Sequence, residues 1–265
     1  MVVSQYQKNR LARKALEEIF RVPHSVVFIH YSCESFYGIT DGSSPRITSI
    51  ALRFFGSGQT KSFSIHHEAE LTGIKSDKIG TQYNKLEKKM LKRFYKTVEQ
   101  FAACKWIHWN MRDANYGFEA IAHRYKVLGG TPAEIQDTNK IDLANMMHGL
   151  LGRNYVPHPR LLKLLEINEM VPRNFLPGKD EAEAFDQKQF VKLHQSTLSK
   201  VDTLMDLAVA ASERRLKCNN NYFTQRGLTL STVGAVMKDH PLFATVGVIG
   251  VLLSIVASIV KIYTA

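Results

Sequence analysis

Between residues 25 and 65 the apolar positions come in short runs or alternate, the pattern of strands. Ser25 to His30 (SVVFIH) is a compact run rich in β-branched residues, while Arg46 to Phe55 (RITSIALRFF) and Thr60 to Ile65 alternate with period two. DGSS and GSG, which lie between these runs, carry the Gly and Ser of hairpin turns. Three neighbouring antiparallel strands are therefore expected. Downstream the period lengthens. Leu86, Met90, Phe94, Val98 and Phe101 recur at helical spacing within Gln82 to Cys104, with Lys and Glu on the other face. The pattern continues with a short strand at Trp106 to Trp109 and a helix at Tyr116 to Leu128, stopped by Gly129-Gly130. A strand at Ala133 to Gln136 and helices at Ile141 to Leu151, Arg160 to Asn168 and Glu181 to about Leu216 complete it, the last with a break near Phe190. Ahead of the first strand, residues 4–20 form a basic amphipathic helix.

A different pattern ends the chain. Pro241 to Val260 (PLFATVGVIGVLLSIVASIV) holds no charged residue, and about 20 residues rising ~1.5 Å each match the ~30 Å hydrocarbon layer of a bilayer. The expectation is a globular domain over residues 1–216, a polar, Asn-rich linker over 217–240 and one transmembrane helix over 241–260. Arg214, Arg215, Lys217, Arg226 and Lys238 precede the apolar segment and only Lys261 follows it, which places the N-terminal domain on the cytoplasmic side of a single-pass topology. Gly247, Gly250, Ser254 and Ser258 recur every three or four residues, a small-residue face suited to self-association in the membrane.

Charge narrows the partners. A net charge of +11 favours polyanions, either nucleic-acid phosphates or the headgroups of a lipid bilayer. Cys33, Cys104 and Cys218 are odd in number, widely spaced and without a CxxC or Cys/His metal pattern, which suits a reducing compartment. The N-terminus lacks the apolar core of a signal peptide.

The order of three strands, helix, strand, helix, strand and helices resembles the ribonuclease H-like fold, an α/β mixed sheet flanked by helices. Local phrases between Val26 and Val201 are similar to those of its DEDD-type 3′-5′ exonucleases. The family's Asp-x-Glu on the first strand corresponds to Tyr31-Ser32-Cys33-Glu34, with Ser32 in place of the Asp. Its His-Asn phrase before an Asp corresponds to His108-Trp109-Asn110-Met111-Arg112-Asp113, with Asn115 at the acidic position and Asp113 close by. Ile135-Gln136-Asp137-Thr138 resembles the strand-to-helix Asp-Thr, and Glu183-Ala184 resembles the third-motif Asp-Ala, without its His.

The resemblance implies a site holding two Mg²⁺ or Mn²⁺ ions on carboxylates, about 3.5–4 Å apart. Its catalytic set would be Glu34, Asp113, Asp137 and Glu183, with Glu34, Asp113 and Glu183 as metal ligands. Ser32 and Asn115 supply neutral oxygens where charge is needed, so a degenerate nuclease is expected in preference to an efficient one. Asn110, Arg112, Asn115, Tyr116, His194 and Lys200 are the expected contacts to nucleic acid. Trp106, Trp109 and Phe118 are divided between base stacking and core packing. His66-His67, with Glu68 and Glu70, reads as a solvated turn, because adjacent strand histidines face opposite ways.

Three functions follow from this reading. The first is a membrane-anchored domain that binds nucleic acid or nucleotide and signals to its anchor, an architecture that suits a membrane-disrupting effector of antiviral defence. The others are an active metal-dependent exonuclease and a protein-interaction scaffold.

Overall fold

Val26–Cys33 (β1) pairs with a strand on each edge and is buried over almost its whole length. The computed structural model describes residues 4–35, 44–112 and 115–228. Asp113 and the apolar segment, with Gly247, Gly250, Ser254 and Ser258, lie outside the described residues. Ile47–Phe54 (β2) runs antiparallel to β1 and to Thr60–Ser64 (β3), as the alternation predicts. On its other edge β1 pairs in parallel with Lys105–His108 (β4), which pairs in parallel with Lys140–Asp142 (β5). The result is a mixed five-stranded sheet in the order β3-β2-β1-β4-β5.

Helices cover both faces. Gln5–Arg21 (α1) starts at Ser4, whose hydroxyl accepts from Gln7 N while the Gln7 side chain bonds back to Ser4 N, a reciprocal cap. Ile65–Leu71 (α2) and Tyr83–Phe101 (α3) follow β3, and Phe118–Val127 (α4) follows β4. Leu143–Leu151 (α5), Arg160–Ile167 (α6), Gly178–Asp186 (α7), Phe190–Ser212 (α8) and Tyr222–Arg226 (α9) complete the described chain. Odd residues of β1 (Val27, Ile29, Tyr31) bury against Leu86, Met90 and Phe94 of α3 and Ile121 of α4. Even residues (Val26, Phe28) join Leu16 and Ile19 of α1, Met147 of α5 and Val201 and Leu204 of α8. The period of two thus divides β1 between two cores.

Three sequence expectations change. Ala133 to Gln136 is not a strand, and of these residues Ile135 is the buried one. The edge of β4 is taken by residues 140–142, in the register His108↔Asp142. His66 and His67 lie on α2, not in a turn, with His67 Nδ1 3.7 Å from Glu70 Oε2 one helical turn on. The polar stretch after Lys217 contains α9, because Asn221 caps it by accepting from Thr224 N and Gly227 ends it with φ 62°. Among the described residues no helix is long and apolar enough to cross a membrane.

Candidate functional site: a cationic cleft at the carboxyl ends of the parallel strands

Because β1, β4 and β5 run the same way, their last residues emerge along one rim of the sheet, where open α/β sheets present ligand sites. The turn after β4 is tightly specified. His108 Nδ1 accepts from Met111 N (3.1 Å), Asn110 takes a left-handed φ of 56°, and Asn110 N donates to Asp142 Oδ1 (3.1 Å). That same oxygen caps α5 by accepting from Ala144 N (3.0 Å), while Arg112 faces Oδ2 at 3.2 Å as an ion pair without aligned hydrogen-bond geometry. Burial holds the His108 imidazole down at about 4, so it is neutral and free to accept at neutral pH.

Between this turn, α6 and the middle of α8 lies a cavity of about 840 Å³. Arg112, Arg160, Lys200, His30, His148 and His158 line it, with no carboxylate among the described lining residues, and Trp109, Leu161 and Phe175 supply apolar walls. Lys200 is buried. Its Nζ lies 2.7 Å from Glu181 Oε2 and 5.1 Å from the Phe175 ring, and burial lowers its pKa against the pull of Glu181. Glu181 also accepts from Ser196 Oγ at 3.1 Å.

His30 projects from β1 onto this face and is 7% exposed. Neither ring nitrogen has a hydrogen-bond partner among the described residues, and Arg160 Nε is likewise buried and unmatched. Burial, then the Lys200 charge, holds His30 well below the usual imidazole range, so it is neutral. Burial also lowers His148, with Arg160 and Arg112 adding to the effect. Arg112 and Lys200 are paired with Asp142 and Glu181, so among the described lining residues Arg160 is the cation that no ion pair balances. Unmatched buried polar groups cost free energy that a ligand with complementary acceptors recovers.

No family model matches the chain, and neither a curated protein nor a solved structure does. The chemistry of the cleft therefore rests on its own geometry.

The carboxylates singled out from the sequence are dispersed. Glu34 follows β1 but is gripped by Arg46 through two bonds of 2.7 and 2.9 Å, and this pairing lowers its pKa. Arg46 is itself held over the Tyr83 and Phe185 rings at 5.1 and 5.0 Å. Asp137 is exposed ahead of β5 and pairs with Lys140 (2.7 Å). With Asp142 and Glu119 it lines a smaller cavity of about 350 Å³. Glu183 is exposed on α7 and accepts from Gln187 at 2.9 Å; the inward carboxylate of that helix is Glu181. Among the described residues no group of three or more His, Cys, Asp or Glu is placed to hold a metal ion.

Of the expected nucleic-acid contacts, Asn110, Arg112 and Lys200 line the larger cavity. Tyr116 instead stacks on Tyr31 (4.7 Å between centroids) and donates to Tyr31 O, while Asn115 is exposed in the turn before α4. His194 lies outside the cavity, 4.9 Å from the His66 ring, and burial lowers it to about 4. Of the aromatics, Trp109 reaches the cavity and Trp106 is wholly buried in the core. His30, His148, His158, Arg160, Asp142 and Glu181 were not legible as site residues. Asp142 carries a signal, as a cap residue before the apolar helical run LANMMHGLL. So does His30, a titratable side chain inside an apolar strand.

Proposed function

We propose that this chain is a membrane-tethered, ribonuclease H-like domain whose cleft binds a nucleotide or the end of a nucleic-acid strand, and that it acts without an efficient two-metal centre. The observation that carries this reading is the state of the rim carboxylates. Glu34, Asp142 and Glu181 each already face a cation, namely Arg46, Arg112 and Lys200. A pair of Mg²⁺ or Mn²⁺ ions would have to displace those ion pairs and would gain fewer anionic oxygens than hard divalent cations favour. The same rearrangement leaves Arg160 and His30 to meet an anionic, hydrogen-bonding ligand, as phosphate recognition requires. Trp109 and Phe175 offer apolar faces for a base. The element order, three antiparallel strands followed by alternating helices and parallel strands, supports the fold assignment.

A route from the cleft to the C-terminal segment supports the signalling part. Asp142 caps α5 at the cleft and His148 of the same helix lines it. At its far end the Gly149 and Leu150 carbonyls accept from Gln5 and Asn9, and Leu151 O accepts from Asn220. Gln5 and Asn9 also donate to Gln225 O of α9, so one rigid helix joins the ligand site to the element that precedes residues 241–260. A ligand shifts the anchor only as far as it favours one α5 position over another. In the membrane, Gly247, Gly250, Ser254 and Ser258 would form the assembling face, and an effector that permeabilises the bilayer is the output we infer.

The test uses the full-length protein in detergent with labelled single-stranded DNA and RNA and a labelled nucleoside monophosphate, in EDTA and in Mg²⁺ or Mn²⁺. Binding in EDTA with no shortening of the strands supports the proposal. Metal-dependent shortening that disappears in Glu34→Ala would establish the exonuclease instead, and absence of salt-sensitive binding to any of the three would favour a protein scaffold.

A further inference from the structure

The last described helix presents an unusual surface. Tyr222 and Phe223 of α9 are 55% and 63% exposed, and the Arg226 guanidinium lies 4.3 Å over the Tyr222 ring. Arg13 Nε of α1 donates to Asn9 Oδ1 at 3.1 Å, and Asn9 in turn donates to Gln225 O of α9, which sets Arg13 beside that helix. Burial, then repulsion from Arg214 and Arg226, holds it below the usual arginine range, opposed by Glu17 and Tyr222. Arg13 and Arg226 thus lie beside two exposed aromatics, with Arg214 and Glu17 near enough for their charges to act on Arg13. Like charges gathered this closely are unfavourable in water alone and become favourable against a negative surface.

The position of the face in the chain names that surface. Gly227 ends α9 with φ 62°, and a Cβ there would come within 2.6 Å of Tyr6 N and 2.7 Å of Gln5 Cβ, so the chain leaves from a fixed point beside the first turn of α1. From Leu228 only residues 229–240 intervene before Pro241, a reach of about 40 Å even when fully extended. If residues 241–260 enter a bilayer, this face is tethered within that distance of its headgroups.

We infer that Arg13, Arg214 and Arg226, with Tyr222 and Phe223, form a docking face for anionic lipid headgroups, which sets the orientation of the domain on the membrane. The inference rests on the membrane-tethered reading. Arginines meet the headgroup phosphates, Tyr222 takes the interfacial position that amphipathic aromatics favour, and Phe223 adds apolar area at the acyl boundary. Each basic residue changes partitioning to an anionic surface by about five-fold. Removing three is expected to reduce the docked fraction's equilibrium constant by about 100-fold.

The full chain is reconstituted into vesicles carrying brominated lipid, with Phe223→Trp as the probe and Val127→Trp as control, since Val127 is exposed on α4 on the opposite face of the sheet. The docking face requires strong quenching at position 223 with anionic vesicles, little at 127, and loss of quenching at 223 in zwitterionic vesicles or on combining Arg13→Glu, Arg214→Glu and Arg226→Glu. Equal quenching at both positions, none at 223, or quenching indifferent to the charge reversals overturns it. So does a result in which the reversals abolish single-strand binding and leave quenching intact, which assigns the patch to nucleic acid. Alkaline extraction reports insertion of 241–260 separately. An inserted chain without quenching at 223 removes the docking face alone, an extracted chain without quenching removes the anchor as well, and an extracted chain with quenching keeps the face as a peripheral contact.

Discussion

Two buried charge clusters lie on opposite faces of the same sheet, and they are finished differently. Between α3 and α4, Glu87 takes two bonds from Arg124 (3.0 and 2.6 Å) and one from Ile47 N (2.7 Å), while Arg124 also reaches Asn84 and Ser44. Every strong group there has a partner. On the α8 face, Lys200 has Glu181, but His30 and Arg160 Nε have nothing among the described residues to bond to. The first cluster holds a helix pair to β2; the second leaves buried nitrogens unmatched among the described residues beside the cavity. Full satisfaction is what a structural cluster needs, and unmatched groups beside a cavity are the ones a bound ligand can complete.

The largest effect that would break this contrast is on the closed cluster. Arg124→Met strands the Glu87 carboxylate and is expected to cost about 3–5 kcal/mol, lowering Tm by on the order of 10 °C. A thermal melt of the full-length protein measures it, and a small loss would show that the cluster is not closed. Acid should act next. Folded His108 and His194 protonate only near pH 4, against 6.5 as the ordinary value. The unfolded chain therefore binds more protons below pH 6.5, and stability falls as pH drops from 6.5 towards 4. A denaturant midpoint flat across that window contradicts the buried, neutral state of these rings, and His194→Leu should shallow the slope.

The open cluster gives the opposite signature. His30→Leu replaces unmatched nitrogens by apolar atoms and is expected to leave stability within about 1 kcal/mol of wild type or raise it, while nucleotide binding weakens by tenfold or more. Parallel melts and titrations separate the two; a large loss of stability with binding intact would make His30 structural. The smallest effect is Asp142→Asn. The amide oxygen still caps α5, but Arg112 loses its carboxylate, so affinity for an anion should rise by a few-fold. Discounted for the half-exposed Arg112, this remains measurable by titration, and a fall in affinity would mean that Asp142 itself touches the ligand.

Legibility in the sequence followed the same contrast. Strands β1 to β3 and helix α3 were visible because one continuous face of each is buried, which imprints a period of two or 3.6. Strand β5 was not, since its three half-exposed residues are held by register with β4 and not by a pattern of their own, so the acidic residue at its end is Asp142 and not Asp137. On α7, Glu181 and Glu183 are two residues apart and so point to different sides, and only packing against α8 decides that Glu181 faces in. The stretch 217–227 reads as a linker from its polar, Asn-rich composition, yet Asn220 and Asn221 bond to Leu151 O and Thr224 N. Above all, the cleft draws His30, Arg112, Arg160 and Lys200 from four separate segments, and no spacing rule connects them.

The most direct test of the cleft is titration of full-length protein with a labelled nucleoside monophosphate in EDTA, beside Arg160→Glu. The expected result is metal-free binding that weakens as salt rises and falls at least tenfold in Arg160→Glu with an unchanged melting temperature. Binding that needs Mg²⁺ or Mn²⁺, or that Arg160→Glu leaves intact, would contradict it.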